Sequence, residues 1–212
     1  MNNKKKFIVV EGPIGVGKTT LATKLSSTFN SNLLLEDFSN NPFLPKFYEK
    51  PNQYAFVTQL HFLLERSDQF SKKIIKEIKQ EFLISDFYIS KDKLFAENTL
   101  NSDEFKLYMR LYELFKLNVP KPDLVIYLQS TVSALVNRIK SRGISYEQNI
   151  STDYLKKIND AYANLFHNYS DSPLLIINTS NVDINNSEDY DLLIKEISKD
   201  IKGKKYLNPA NN

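Results

Sequence analysis

The octet Gly12-Pro-Ile-Gly-Val-Gly-Lys18-Thr19 directly follows the apolar run Phe7-Ile-Val-Val10 and opens a stretch with Leu21, Leu25 and Phe29 at helical spacing. It meets G-x-x-x-x-G-K-[ST] at every fixed position, in the strand, loop, helix order that the motif requires. Gly12, Gly15 and Gly17, with Pro13, Ile14 and Val16 between them, let consecutive backbone N–H groups converge on phosphate oxygens, and the helix N-terminus adds positive potential. Lys18 reaches the outer phosphates, the Thr19 hydroxyl is placed to ligate Mg²⁺, and Thr20 continues the first helical turn. A chain built this way holds a nucleoside triphosphate, here read as ATP, at the C-terminal end of a buried strand.

Four further apolar runs follow: Leu33-Leu-Leu35, Phe82-Leu-Ile84, Leu124-Val-Ile-Tyr-Leu128 and Leu174-Leu-Ile-Ile177. They alternate with helical patterns over Lys18–Phe29, about Gln53–Gln80, about Asn101–Leu117, Thr131–Ser141, Thr152–Asn168 and Ser187–Lys202. Continuous apolar strands between helices predict an α/β fold with a five-stranded parallel sheet flanked by helices on both faces. The 212 residues suffice for one domain, residues 1–203, with 204–212 reading as a flexible C-terminal tail. The Lys72, Lys73, Lys76, Lys79 run reads as a solvated helix face.

Composition removes whole classes of function. With no Cys and two His, a disulfide scaffold, a zinc module and a Cys nucleophile are excluded. A balance of 28 basic against 25 acidic residues is too even for a dedicated nucleic-acid binder. No apolar run approaches the ~18 residues of a spanning helix and no signal-peptide pattern opens the chain, so no membrane partner and a cytoplasmic location are expected.

Among phosphate-loop proteins, a GTPase needs N-K-x-D, which does not occur, and a motor needs more chain. A small kinase needs acids and bases at the C-terminal ends of the strands, where an acceptor hydroxyl meets the γ-phosphate. Glu36-Asp37 follow strand two and Asp86 follows strand three. A carboxylate at Glu36 can take the proton of an attacking hydroxyl, with Asp37 the competing candidate. Gln59 and Arg66 lie seven residues apart and project from one helix face with Leu63 between them. Arg138 and Arg142, two of only four Arg in the chain, stand at i and i+4 before Gly143, a lid carrying two cations toward a transferring phosphoryl group.

The phosphate loop with Glu11 before it, Glu36, Phe47-Tyr48-Glu-Lys-Pro51, Gln59, Arg66, Asp86 and Arg138-Ile-Lys-Ser-Arg142 occur in an order that resembles the deoxynucleoside kinases, the deoxyadenosine, deoxyguanosine and deoxycytidine kinase group. The resemblance covers nearly the whole chain. It implies ATP-dependent, Mg²⁺-dependent phosphorylation of a deoxynucleoside 5′-hydroxyl in nucleotide salvage, with deoxyadenosine favoured, by a homodimer paired through its long central helices. It assigns Glu36 as general base, Lys18, Arg138 and Arg142 as charge stabilisers, and Thr19 and Asp86 as the metal pair. By the same resemblance Gln59 and Arg66 read the base with Asp92 as the partner of Arg66, Phe62 and Phe95 stack against it, and Tyr48 and Glu147 hold the 3′-hydroxyl.

Two positions depart from the family pattern. Phe87 follows Asp86 where relatives commonly carry Arg, and Ile144 stands where many have a third lid Arg; Lys91 or Lys93 is the available substitute. Two alternatives stay open at this level: a thymidylate or other nucleoside-monophosphate kinase, and a nucleotide-binding regulatory protein that has lost catalysis.

Overall fold

The structure is a computed structural model and describes residues 7–70, 82–115 and 119–207. The basic run at Lys72 to Lys79, the ends of the two central helical patterns and residues 208–212 lie outside the described residues.

The apolar runs form a wholly parallel sheet. In chain order the strands are β1 (Phe7–Glu11), β2 (Asn32–Leu34), β3 (Leu83–Ser85), β4 (Leu124–Gln129), β5 (Leu174–Asn178) and β6 (Lys204–Leu207), in spatial order β2-β3-β1-β4-β5-β6. Strand β1 pairs with β3 through Phe7 and Leu83 on one side and with β4 through Ile8 and Leu124 on the other. The chain therefore leaves β1 in opposite directions across the sheet, which opens a crevice at its C-terminal end, where the phosphate loop lies.

Alternation along the strands splits the core in two. Phe7, Val9, Val125 and Tyr127 face one layer with Leu63, Phe87, Tyr108, Tyr162 and Phe166, whereas Ile8, Val10, Ile126 and Leu128 face the other with Leu21, Leu25, Leu135 and Leu193. The helices are α1 (Lys18–Phe29), α2 (Leu44–Glu49), α3 (Pro51–Gln69), α4 (Lys91–Thr99), α5 (Ser102–Phe115), α6 (Val132–Arg142), α7 (Thr152–His167) and α8 (Ser187–Ile197), with a short 3₁₀ turn at Ser145–Asn149. Local chemistry sets several ends: Thr131 Oγ1 caps α6 at the Ala134 N–H, Gly143 closes it at φ 72°, and Ser151 and Asn186 cap α7 and α8.

Among the described residues the sheet has six strands, not five. The sixth comes from Lys204–Leu207, a stretch expected to fray, which pairs with Leu174–Ile177. Its first three residues are exposed and only Leu207 is buried, as suits an edge strand that presents charge to solvent. Helices α2 and α4 were also illegible. Pro51 forces Lys50 out of helical geometry, to φ −136° and ψ 70°, and so separates α2 from α3. In α4 the charged Lys91 and Asp92 are buried along with Leu94 and Ala96, which erases the apolar period. On α5, Tyr108 and Tyr112 are buried within the chain, while Leu107, Leu114 and Phe115, with Leu64 of α3, stay exposed. No helix among the described residues is long and apolar enough to cross a membrane.

Leu207 is 4% exposed and packs beside Ile177 and Ile201 in the second core layer. Ending the chain after Gly203 removes that side chain and uncovers the β5 edge. Urea unfolding of the truncated chain is expected to show a loss of about 2 kcal/mol, and an unchanged midpoint and slope would refute the strand's contribution.

Candidate active site

The phosphate loop has the shape its glycines permit. Gly12 sits at φ 149°, and a Cβ there would stand 2.6 Å from the Leu128 carbonyl oxygen, a backbone atom that cannot retreat. Lys18 Nζ donates to the Gly12 and Pro13 carbonyls at 2.9 and 3.0 Å, holding the ammonium at the mouth of the loop. Burial, and then the neighbouring Lys91 charge, pull its pKa down to about 8, against the opposing pull of Glu11, Glu36 and Asp86.

The two strand-end acids meet this loop. Thr19 Oγ1 donates to Asp86 Oδ2 at 2.5 Å, and the Glu36 backbone N–H donates to Asp86 Oδ1 at 2.8 Å. Glu36 itself is clasped from two sides: Arg66 Nε donates to Oε1 at 2.7 Å with Nη2 on the same oxygen, and Lys91 Nζ donates to Oε2 at 2.6 Å. Burial would raise the Glu36 pKa, but the Arg66 and Lys91 charges and hydrogen bonds outweigh it and hold it at about 2. Asp37, the competing candidate, is exposed and turned into its own loop, where it accepts from Ser39 N at 3.1 Å and Asn40 Nδ2 at 2.6 Å.

Phe87 is fully buried against Phe70, ring to ring at 5.1 Å, so position 87 points into the core. The cation arrives four residues later. Lys91 is 3% exposed on the first turn of α4, whereas Lys93 is exposed and lines a separate groove.

Beyond Glu36 lies a pocket lined by Gln59, Phe62, Arg66 and Phe95, as the seven-residue spacing predicted for the first and third. The Arg66 guanidinium lies 4.7 Å from the Phe62 ring centre, and its Nη1 binds Asp92. Asp92 does not line the pocket; it is fully buried behind Arg66, because α4 turns that face inward. Its carboxylate is the partner of the Arg66 fork. Gln59 Oε1 and Thr58 Oγ1 are buried at this wall with no hydrogen-bond partner, which marks them as open positions for a ligand's polar atoms.

Tyr48 and Glu147 stand at the other end of the pocket. Glu147 lies on the 3₁₀ turn, which turns its carboxylate inward to 4% exposure and onto Arg142, whose Nε lies 3.0 Å from Oε2. Tyr48 stacks on Tyr146 at 6.2 Å and 12°. Tyr154 of α7 lines the same pocket, and nothing local in the sequence marks it out.

The second cleft, of about 800 Å³, runs from the phosphate loop past Arg138 and Arg142 to Thr179, Asp183 and Asn185. Arg138 does not hang free over it: Nη1 donates to Thr179 Oγ1 at 2.9 Å and Nη2 to the Thr179 carbonyl at 3.1 Å. Lys24 of α1 fixes the far wall by donating to the Ile184 carbonyl at 2.6 Å. The Thr179–Asn185 segment escaped sequence reading, although its position at the end of β5 was signal enough. Ile144 carries no charge into either cleft.

A phosphate loop, a strand-end carboxylate beside it and a pocket on each side define a P-loop phosphotransferase with separate donor and acceptor sites. Comparison with known proteins refines this class. The deoxynucleoside kinase family model matches residues 8–202. The chain is 37% identical over 161 residues to a deoxyguanosine kinase of Bacillus subtilis, covering 76% of this chain and 78% of that one. It is 32% identical to a deoxyadenosine kinase of Lactobacillus acidophilus, covering 93% of this chain and 97% of the relative. A solved deoxyadenosine kinase from M. mycoides with bound dATP superposes with a TM-score of 0.79 at 24% identity, over 91% of this chain and all of that one. The chain belongs to the deoxynucleoside kinase family, ATP-dependent kinases acting on nucleoside acceptors.

Two outcomes test the site's physics. Gly12→Ala forces a Cβ against the Leu128 carbonyl at a positive φ, and is expected to cost about 1–3 kcal/mol of stability and to weaken ATP binding in calorimetry. Glu36, held at about 2 against 4.5 unperturbed, stabilises the fold above pH 4.5 and loses that contribution as the pH falls toward 2. The stability difference between the parent and Glu36→Gln should narrow by about 3 kcal/mol across that window in pH-dependent urea unfolding.

Proposed function

We propose that the chain transfers the γ-phosphoryl group of ATP to the 5′-hydroxyl of a purine deoxynucleoside, with deoxyadenosine favoured, in the cytoplasm. The observation that carries this reading is the Glu36 carboxylate, held ionised between the phosphate loop and the pocket lined by Gln59 and Arg66. A nucleoside seated with its base toward Gln59 and its sugar toward Tyr48 and Glu147 brings its 5′-hydroxyl to Glu36. The 5′-oxygen attacks the γ-phosphorus, its proton passes to Glu36, and the bond to the β–γ bridging oxygen breaks to release ADP. A carboxylate of such low pKa is a weak base, so the proton moves late, once the attacking oxygen has become acidic through bonding to phosphorus.

Cations meet the charge that spreads over the phosphoryl oxygens. Lys18 lies at the loop mouth, Lys91 beside Glu36, and Arg142 on the lid can leave Glu147 as the site closes; Arg138 braces the donor cleft through Thr179. Thr19 and Asp86, a hydroxyl and a carboxylate in direct contact, form an oxygen donor set suited to Mg²⁺ with phosphate and water completing the shell. When bound there, the ion supplies charge neutralisation of the phosphates.

Gln59 offers both a donor and an acceptor, which matches the amino group and adjacent ring nitrogen of adenine. The relatives named deoxyadenosine and deoxyguanosine kinases favour a purine acceptor. A monophosphate acceptor fits poorly, because Arg66, the one Arg in the pocket's base end, is already bound to both Glu36 and Asp92. A homodimer is supported by the exposed apolar set Leu64, Leu107, Leu114 and Phe115 on α3 and α5.

Rates of transfer from ATP and Mg²⁺ to the four deoxynucleosides and to dTMP test the reaction. Deoxyadenosine is expected to be phosphorylated fastest, with Glu36→Gln lowering kcat by about 10³-fold and leaving the nucleoside KM within a few-fold; transfer to dTMP alone would overturn the reading. Lys91→Met should lower kcat by about 10²-fold. Light scattering at micromolar concentration should give twice the chain mass, and a monomer mass would refute the dimer.

A further inference from the structure

One buried carboxylate has no part in the steps above. Glu11 ends β1, is 3% exposed and stands next to Gly12 at the entry of the phosphate loop. Its Oε1 accepts the Tyr88 backbone N–H at 2.8 Å, and its Oε2 accepts the Tyr162 hydroxyl at 3.2 Å and lies 3.3 Å from the Gly12 N–H. Three segments distant in sequence meet on this one group: the loop, α7, and the turn that leads from β3 into α4. That turn continues directly to Lys91, whose N–H donates back to the Tyr88 carbonyl at 3.2 Å. The Lys91 ammonium then reaches Glu36 at 2.6 Å.

We infer that Glu11 is a positioning residue of the transfer reaction: its carboxylate locks the Tyr88–Lys91 turn to the entry of the phosphate loop, and so holds the Lys91 ammonium against Glu36 where the phosphoryl group passes. Two features of the site call for such a group. Lys18 and Lys91 are cations close enough to repel one another, and Glu11 attracts both. Phe87 leaves the turn itself without a charge, so the cation has to be delivered from four residues further on, and only a fixed turn aims it. Burial raises the Glu11 pKa while the Lys91 and Lys18 charges and the Tyr88 N–H pull it down, an arrangement that costs stability and is retained where position matters.

The inference rests on the proposed phosphoryl transfer, and a double-mutant cycle separates the two. Initial rates of radiolabelled phosphoryl transfer from ATP to deoxyadenosine are measured for the parent, Glu11→Gln, Lys91→Met and the double variant. Glu11→Gln is expected to lower kcat by about 10- to 100-fold with both KM values within about threefold, and to lower it by less than about threefold in the Lys91→Met background. A purely structural role for Glu11 gives equal losses in both backgrounds, and that result overturns the inference, as does a raised KM with kcat intact. Should Glu11→Gln fail to fold, Tyr162→Phe removes one of the bonds on Glu11. It should cost about threefold in kcat in the parent and nothing beside Lys91→Met, and equal losses or no loss in the parent would again refute the proposal. A parent that transfers phosphate to no deoxynucleoside refutes the reaction first, and the inference with it.

Discussion

The ion cluster around Glu36 is the constraint that organises this molecule. A carboxylate, a guanidinium and an ammonium are withdrawn from water together, each at a desolvation cost that only mutual pairing offsets. Asp92 is spent on Arg66, and Arg66 and Lys91 are spent on Glu36. The four members arrive from three elements: Glu36 from just beyond β2, Arg66 from α3, and Lys91 and Asp92 from the first turn of α4. Removing any one strands a buried charge, so the cluster binds the acceptor side of the fold to the sheet as firmly as it prepares the reaction. The same argument explains why α3 carries a buried Arg beside Leu63.

Legibility in the sequence followed the physical range of each signal. The phosphate loop, strands β1 to β5 and the Gln59–Arg66 face were readable because an apolar run, a local period or a fixed motif specifies them. Strand β6 was not, since an edge strand needs only Leu207 to turn inward and shows no alternation. Helix α4 was hidden because Lys91 and Asp92, its buried face, look like surface residues when read alone. Asp92 pairs with Arg66, but the sequence pairs charges without saying which side of the pair faces the pocket. Tyr154 belongs to the site through tertiary placement alone.

The departure at Phe87 carries a related lesson. Read along the chain, it is a missing cation; in space it is a substitution of route. Phe87 adds a ring to the core beside Phe70, and under the proposed reaction Lys91, at the start of the next helix and bonded to Glu36, would supply the charge from a different backbone position.

The pairing of Arg66 with two carboxylates leaves the base end of the acceptor pocket with no spare positive charge. Under the proposed reaction an uncharged molecule enters and an anion departs. The new charge forms at the Glu36 end, beside Lys18 and Lys91, so the base wall meets substrate and product alike and the difference between them is felt only at the phosphate loop.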